Sequence, residues 1–259
     1  MLFSALIRFN RARCWHWRVR AGPDRLRATS LDRLVYLWRW RWLGRRGAEA
    51  TFLKAHLKPG MQVVDAGANL GAYSHLFAQC VGPDGRVIAF EPDPRLFTAL
   101  VGNARANGRQ QIQPHCIALG ESSGQAELKS GGLNSGDNQL APPESSDGSG
   151  VMIPVTTLDE FLNGATVDFI KMDIQGWEVH ALRGMTRTLA ANPHLQLYLE
   201  LWPYGLFRAG SSPKELFEAL TERGFLFEVR LQGAAPSSLD FLALGRRRYW
   251  FTDIYAWRP

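Results

Sequence analysis

Short apolar runs alternate along the chain with longer segments whose apolar residues recur at helical spacing. The runs around Val63, Val87, Ile170 and Leu197 are typical of strands that are buried on both faces. The helical faces that follow the first two runs are Tyr73, Leu76, Phe77 and Cys80, and then Leu96, Phe97, Leu100, Val101 and Ala104. This alternation predicts an α/β fold with a doubly wound, mostly parallel sheet, which an antiparallel pair at 225–229 and 250–257 completes.

The remaining pattern fills in the other elements. A third strand is predicted at 111–118, a short one at 126–129, a fourth at 167–172 and a fifth at 195–199. Pro154 predicts that the strand-like run 151–156 lies at an edge. Capping boxes predict helices that begin after Thr157 and after Ser212. One helix after the fourth strand has the apolar face Val179, Leu182, Thr186 and Leu189.

A turn of small residues, Asp65-Ala-Gly-Ala-Asn-Leu-Gly71, joins the first strand to the first helix. Gly67 and Gly71 lack a Cβ, so the chain can turn sharply and a ligand can approach bare backbone at the helix N-terminus. The spacing Asp-x-Gly-x-x-x-Gly differs from the dinucleotide pattern Gly-x-Gly-x-x-Gly. An acid there suits a cationic or amino-acid-like ligand, such as the methionine part of S-adenosylmethionine (SAM). An ordinary strand-to-helix turn is the alternative interpretation.

The second strand ends in Phe90-Glu-Pro-Asp-Pro94. An acidic residue at this position of a βαβ unit can accept hydrogen bonds from both ribose hydroxyls, which predicts that role for Glu91. A solvated turn residue is the alternative. Asp93 is predicted to cap the next helix, with Pro94 at its first position.

These two motifs, with Thr157-Leu-Asp159 and Phe169-Ile-Lys-Met-Asp-Ile-Gln-Gly-Trp-Glu178, resemble the signature series of FkbM-type SAM-dependent methyltransferases. The resemblance implies the class I SAM methyltransferase fold, Rossmann-like, with a seven-stranded sheet whose last strand is antiparallel. The chain departs from the family at one position, because the family usually has Asp-x-Glu-Gly where this chain has Asp173-Ile-Gln-Gly176. A role of that acid is therefore not carried over to Gln175.

The resemblance also implies which residues form the site. The expected SAM-binding residues are Asp65, Gly67, Ala68, Asn69, Gly71, Tyr73, Ser74, Glu91, Pro92, Ile117, Ala118 and Asp173. Ile117 and Ala118 are adenine-contact candidates, because this fold places adenine near the end of the third strand.

The catalytic candidates are Asp173, as the base or as the group that orients SAM, and Glu200 on the next strand. SAM already carries an excellent leaving group, so the enzyme mainly holds the acceptor in line and excludes water. An alcohol acceptor also gains from a general base. Lys171 is either a charge partner or an acceptor contact, and Glu178 is interpreted as a helix residue favoured by the dipole. Asp173 and Glu200 could share a divalent metal, although no second ligand motif supports a metal site.

By resemblance the expected reaction is O-methylation of a hydroxyl on a sugar, glycolipid or natural-product acceptor. A small molecule or glycan is favoured over nucleic acid, because the fourth strand is not followed by the Asn/Asp-Pro-Pro-aromatic motif of base-amine methylation. The chain also lacks the Pro-Cys motif of cytosine C5 enzymes. The alternative is a non-catalytic binding module, to which the Gln175 departure points.

Residues 1–46 form a basic, Trp-rich extension, and residues 47–259 are the predicted methyltransferase domain. The extension holds twelve arginines against two aspartates and five of the nine tryptophans, whereas the rest of the chain is mildly acidic. A helix is predicted at 31–46, with Leu31, Leu34, Val35, Trp38 and Trp42 on one face. It could pack on the domain, lie peripherally on an anionic membrane, or bind an acidic partner.

The three cysteines form no Cys-x-x-Cys pair, which indicates core thiols and a reducing cytoplasm. No run approaches the roughly 20 apolar residues of a membrane span, so the chain is expected to be cytoplasmic, whether or not it contacts a membrane peripherally. The Gly-, Ser- and Pro-rich stretch 130–150 is expected to be a loop, either a lid near the cofactor or surface disorder. The oligomeric state is not indicated.

Overall fold

The computed structural model describes residues 17–21, 23–28, 45–129, 138–142, 145–230, 245–246 and 250–259. The strands are β1 (Trp17–Ala21), β2 (Asp24–Ala28), β3 (Gln62–Ala66), β4 (Arg86–Phe90), β5 (Ile112–His115), β6 (Ala118–Leu119), β7 (Gly124–Lys129), β8 (Gln139–Leu140), β9 (Val151–Thr156), β10 (Phe169–Met172), β11 (Gln196–Leu201), β12 (Leu226–Arg230) and β13 (Thr252–Trp257). The helices are α1 (Arg45–His56), α2 (Ala72–Val81), α3 (Pro94–Ala106), α4 (Leu158–Leu162), α5 (Glu178–Arg183), α6 (Thr186–Ala191), α7 (Pro203–Arg208) and α8 (Pro213–Glu222).

The main sheet has seven strands in the order β12-β13-β11-β10-β3-β4-β5. Only β13 runs antiparallel to its neighbours, β11 and β12, and the other pairs are parallel. This arrangement confirms the predicted doubly wound sheet. Successive strand residues point to opposite faces, so Val63 packs in the core under α1, α2 and α3 whereas Val64 packs in the core under α4 to α8. Helices on both faces explain why the strand sequences are almost continuously apolar.

A second sheet, which the sequence pattern did not predict, has four strands in the order β6-β9-β7-β8. The single strand predicted at 111–118 is therefore wrong, because β5 ends at His115 and β6 joins this second sheet instead. The edge position predicted for 151–156 is also wrong, since β9 lies between β6 and β7. Pro154 is tolerated there because β6 pairs only with Val155 and Thr156.

The helix predicted after the fourth strand is two helices, α5 and α6, with a break at Gly184. A Cβ on Gly184 would lie 2.0 Å from the carbonyl oxygen of Gly120, so only glycine fits where the two backbones meet. Val179, Leu182 and Leu189 are buried as predicted, but Thr186 is exposed and Thr188 is buried instead. On α3, Val101 is 39% exposed rather than part of the core.

An N-terminal hairpin of β1 and β2 packs against α3 and was not predicted either. The side chain of Asn107 bonds both backbone groups of Arg25, and that of Asn103 bonds both backbone groups of Arg27. The Asn103 side chain also donates to the Leu70 carbonyl at 2.9 Å, which links the hairpin to the glycine turn.

Several predictions concern segments outside the described residues. The helix predicted at 31–46 is outside as far as residue 44, and Cys14 and Asn134-Ser-Gly136 are outside as well. Cys80 and Cys116 are unpaired and half-buried. Over the ranges given above, no helix is long and apolar enough to cross a membrane.

Candidate active site

The glycine turn between β3 and α2 lies against the ends of two neighbouring strands. Gly67 has φ +78° and Gly71 has φ +93°, which are left-handed conformations that favour glycine. The N–H groups of Gly67 and Ala68 both donate to the Phe90 carbonyl at the end of β4, at 3.0 and 2.9 Å. A Cβ on Gly67 would lie 2.0 Å from the Asp173 carbonyl oxygen. Close approach to the end of β10, as well as the turn itself, therefore requires glycine at 67.

Glu91 lies beneath this turn with its carboxylate held by backbone. The Asn69 N–H donates to Glu91 Oε2 at 2.7 Å, and the Asp93 N–H donates to Oε1 at 2.9 Å. Asn69 can present its N–H in this way because it adopts φ +52°, a left-handed conformation that asparagine tolerates. Burial raises the pKa of Glu91 to about 7, although these two donors act in the opposite direction.

The residues around Glu91 complete the wall of the site on this side. Asp93 caps α3 as predicted, since its side chain accepts from the Arg95 N–H. Pro92 and Ile117 are half-buried, and Ala118 is buried at the start of β6.

Asp65 is completely buried at the end of β3. The Ser74 hydroxyl donates to Asp65 Oδ2 at 2.5 Å, so both of these predicted cofactor residues first satisfy each other. Asp65 Oδ1 is buried and receives no hydrogen bond from any residue in the described part of the chain. Burial raises the pKa of Asp65, against the effects of Lys171 and Ser74. An acceptor atom left without a donor in this position is consistent with a ligand ammonium or water completing the site.

Lys171 of β10 is the buried cation that faces these acids. Its Nζ lies 3.7 Å from Asp65 Oδ1, 3.5 Å from Asp173 Oδ2 and 4.5 Å from the centre of the Tyr73 ring. Burial works against the charge of Lys171, but Asp173 and Asp65 outweigh it and raise the lysine pKa. The Tyr73 hydroxyl in turn donates to Glu49 Oε1 at 2.5 Å. Of the two interpretations of Lys171, the geometry is that of a charge partner between neighbouring strands.

Asp173 and Glu200 are brought together by the side chain of Gln175. Its Nε2 donates to Asp173 Oδ1 at 2.8 Å and to Glu200 Oε2 at 3.1 Å. Gln175 adopts φ +59°, which is uncommon for a residue other than glycine, asparagine or aspartate and costs on the order of 1 kcal/mol. The strained backbone directs the amide between the two carboxylates, so the residue that departs from the family pattern is the bridge of the site.

Glu178 is the first residue of α5, which agrees with its interpretation as a helix residue favoured by the dipole, and it is 1% exposed. Its Oε1 accepts from the Ile174 N–H at 3.0 Å, which holds the turn that carries Gln175. Burial raises the pKa of Glu178 to about 8. The side chain therefore supports the 173–177 turn.

The described end of the 130–150 stretch crosses the site. The Asn138 side chain donates to Asp93 Oδ2 at 2.9 Å, and Gln139 Nε2 donates to the Gln175 carbonyl at 3.1 Å. These two bonds connect Asp93, at the start of α3, to the turn that carries Gln175. Whether the 130–150 stretch forms a lid stays a prediction, since residues 130–137 and 143–144 are outside the described residues.

The fold brings most of the predicted residues to the carboxyl edge of β3, β4, β10 and β11. Sequence reasoning missed the side chains that hold them there, which are Glu49, Asn138, Gln139 and Gln175. No local signal marks the first three, whereas the departure at Gln175 was visible. Within the described ranges, no group of three or more histidine, cysteine, aspartate or glutamate side chains could hold a metal ion.

The residues present fit SAM. The turn brings the backbone of Gly67 and Ala68 to the ends of β4 and β10, and Asp65 Oδ1 receives no hydrogen bond from a described residue, although Lys171 Nζ lies 3.7 Å from it. Glu91 retains lone pairs beyond the two backbone N–H bonds, because a carboxylate has about four acceptor positions. These groups suit an ammonium, a ribose diol and a nucleoside that lies along the sheet edge.

Comparisons with known proteins agree with this geometry. Residues 65–227 match the family described as Methyltransferase FkbM domain. The chain is 44% identical over 55 residues to protein-L-isoaspartate O-methyltransferase 1 of Arabidopsis thaliana, which covers 21% of this chain and 24% of that protein. It is 26% identical over 170 residues to hexuronic acid methyltransferase AglP of Haloferax volcanii, which covers 64% of this chain and 63% of that protein.

The chain thus spans less than two thirds of the length of both relatives. A solved structure from Clostridium thermocellum, named as a candidate rRNA-methylase, has the same fold. Its TM-score is 0.51 at 10% identity, with 82% of this chain and 95% of that chain covered.

Proposed function

The chain belongs to the Methyltransferase FkbM domain family, and from this premise we propose that it transfers the methyl group of SAM to a hydroxyl group of a sugar-type acceptor. One observation carries the proposal. The Asp173 carbonyl lies against Gly67 of the glycine turn, while the Asp173 carboxylate is bridged to Glu200. A cofactor on the turn would therefore lie beside a pair of carboxylates that can accept a proton.

The residues that would hold SAM belong to β3, β4 and the segments that follow them. Glu91 would accept from the ribose hydroxyls, and Asp65 would face the amino-acid part from beneath the turn. Ile117 and Ala118 would provide the apolar surface for adenine. Bound SAM supplies an activated methyl group on a sulfonium, so the protein needs no further group to make the methyl reactive.

The chain's own contribution to the transfer is positioning and proton acceptance. The acceptor oxygen would approach the methyl carbon in line, forming the O–C bond as the S–C bond breaks. The hydroxyl proton would pass to the Asp173 carboxylate, which the Gln175 amide and Lys171 keep oriented. Glu200, held by the same amide, is the second candidate base. The products are the methyl ether, the thioether form of the cofactor and one proton on the protein.

The acceptor class is inferred from the relatives. AglP is named for a hexuronic acid, and its similarity extends over 64% of this chain, whereas the isoaspartate methyltransferase match covers 21%. The longer match supports a hydroxylated sugar over a protein carboxylate. The alternative of a non-catalytic module rests on the departure at Gln175, and the bonds from this amide to Asp173 and Glu200 support catalysis over that alternative.

Titration calorimetry with SAM, followed by transfer of a labelled methyl group to a panel of sugars and glycans, tests the proposal. We expect micromolar cofactor affinity and a methylated product with the mass of a methyl ether. Labelled SAM added to host extract extends the panel to natural acceptors. Tight cofactor binding without any labelled product, in both the panel and the extract, would favour the non-catalytic module.

A further inference from the structure

A pocket next to the 173–177 turn is not accounted for by cofactor binding or methyl transfer. It has a volume of about 390 Å³. Its lining includes the segment Gly120–Glu127, the side chains of Trp177 and His180, and Leu140 with Met152. We name it the Trp177 pocket. Its volume lies in the range of small-ligand sites and is sufficient for one sugar ring.

The Trp177 pocket presents a fixed aromatic face. The Trp177 and His180 rings stack at 4.2 Å between centres and 26° between planes. His180 Nε2 donates to the Ala209 carbonyl at 2.9 Å, so the stacked pair is tied to the end of α7. Trp177 is only half-buried, and Met152 at the opening is 57% exposed. A rigid, amphipathic ring of this kind binds a flat ligand with little loss of conformational freedom.

The Gly120–Glu127 part of the lining is polar. Ser122 and Gln125 are exposed along this segment, whereas the Ser123 hydroxyl already donates to Glu160. A lining that combines hydroxyl and amide groups with an indole matches a pyranose, which has apolar C–H faces and a rim of hydroxyls.

The charges of the pocket favour a neutral sugar. The ionisable residues of the lining are Glu121, Glu127 and His180. The Glu127 carboxylate already accepts from the Ser146 hydroxyl and the backbone N–H groups of residues 147, 148 and 150. Glu121 Oε2 lies 3.4 Å from both Arg183 Nη1 and His180 Nδ1, so the guanidinium and the imidazole are already paired with this carboxylate. A ligand carboxylate would meet two carboxylates here, and like charges at such distances repel.

The pocket is joined to the transfer centre by two short segments. Gln139 donates to the Gln175 carbonyl, and the next residue, Leu140, lines the pocket. Trp177 lies two residues beyond Gln175, which bridges Asp173 and Glu200. We propose that the Trp177 pocket binds a neutral pyranose unit of the acceptor, adjacent to the unit that is methylated. This inference rests on the proposed function, and it makes the acceptor a saccharide of at least two units.

Ligand-observed NMR titrations with methyl β-D-glucopyranoside, methyl β-D-galactopyranoside and methyl β-D-glucuronide test the pocket without methyl transfer. We expect at least one neutral glycoside to bind at millimolar concentration and at least fivefold more tightly than the glucuronide. Trp177→Ala is expected to weaken that binding at least tenfold. Trp177→Phe keeps an aromatic ring, so its affinity for the glycoside should stay within threefold of the wild-type value. Leu226→Ala removes an exposed apolar side chain outside the pocket lining and is the matched control.

A second variant keeps the test independent of folding at position 177. Met152→Lys changes an exposed side chain and places a cation at the opening, so it is expected to increase glucuronide affinity at least fivefold. Equal binding of all three glycosides, or no effect of either Trp177→Ala or Met152→Lys, would overturn the proposal.

The failure of the pocket and the failure of the proposed function give different results. Glycoside binding that depends on Trp177, without methyl transfer to any acceptor, would retain the pocket and remove the methyl-transfer proposal. Methyl transfer to a disaccharide with the same KM in wild type and Trp177→Ala would do the reverse.

Discussion

The two halves of the site are held in different ways. On the proposed cofactor side, Glu91 is held by the backbone N–H groups of Asn69 and Asp93. On the transfer side, Asp173 and Glu200 are held by the side chains of Gln175 and Lys171. Backbone donors fix the first half wherever the turn forms, whereas the second half depends on the identity of two further side chains.

This difference has a consequence for substitutions. A change in the glycine turn displaces the backbone itself and should affect cofactor binding strongly. A change on the transfer side alters charge and orientation within an intact backbone and should affect turnover while cofactor affinity is retained. Substitutions in the two halves should therefore separate cofactor affinity from turnover.

The largest effect is expected for Gly67→Ala. The new Cβ would lie 2.0 Å from the Asp173 carbonyl oxygen, in addition to the strain of φ +78°, so the turn must move away from β10. We expect the dissociation constant of SAM to rise by more than about 10²-fold in calorimetry. Gly82→Ala is the matched control, because Gly82 has φ +69° with nothing within 4 Å of the added Cβ. If Gly67→Ala binds SAM as well as Gly82→Ala does, the turn is not the cofactor site.

Asp173→Asn is expected to lower kcat about 100-fold, since it removes the proposed proton acceptor while keeping the side-chain shape. The dissociation constant of SAM should change less than about threefold, which the separation between the two halves requires. Asp168→Asn is the matched control. It removes the same charge, but Asp168 bonds the Gln62 N–H at the start of β3, at the other end of the strand from the site. A normal kcat in Asp173→Asn would mean that Asp173 is not the base. Glu200 would then be the candidate, and Glu200→Gln would test it.

Glu91 is expected to make SAM binding depend on pH. With a pKa of about 7, this carboxylate becomes protonated as the pH falls from 8 to 6, and only the ionised form accepts from both ribose hydroxyls. The dissociation constant should therefore rise about tenfold over this interval. Glu91→Gln should bind more weakly at pH 8 and lose this pH dependence. An unchanged profile in Glu91→Gln would assign the titration to another group.

The Glu91 carboxyl should also make the stability of the cofactor-free protein depend on pH. Lower pH should weaken SAM binding but increase the free energy of unfolding. The pKa of Glu91 is raised in the folded state from its ordinary value near 4.5, so its favourable contribution is present below that pH and is lost as the pH rises through about 7. The loss amounts to about 3 kcal/mol at most. Urea unfolding at pH 5 and pH 8 should show a larger decrease in the free energy of unfolding for wild type than for Glu91→Gln.

The smallest effect is expected for Gln175→Glu. A third carboxylate would replace the amide that donates to Asp173 and Glu200, so the pKa of the cluster should rise. The ascending limb of the kcat–pH profile is then expected to move up by about one unit, with a loss of a few-fold in kcat at pH 7. Gln113→Glu adds the same charge at an exposed position on β5 and is the control. An unshifted profile would mean that Gln175 does not hold the carboxylate pair.

The main sheet and the cofactor turn were predictable because their signals are local. The apolar runs of the strands, Gly67 and Gly71 in the turn, and Asp93 with Pro94 at the start of α3 each act within a few residues. The second sheet was missed because its strands are short, and β6 and β8 have two residues each. The hairpin at the N-terminus was missed because its partners are the side chains of Asn103 and Asn107, far away in the chain.

The sequence by itself determined the chain order of the strands in the main sheet, the position of the glycine turn and the acids at the carboxyl edge, because spacing and residue type specify these within short segments. Only the tertiary structure decided that Lys171 pairs with Asp65, that Gln175 joins Asp173 to Glu200, and that Gln139 lies over that turn. These contacts follow from β10 lying between β3 and β11. Strand adjacency depends on how the whole chain packs, and local periodicity does not encode it.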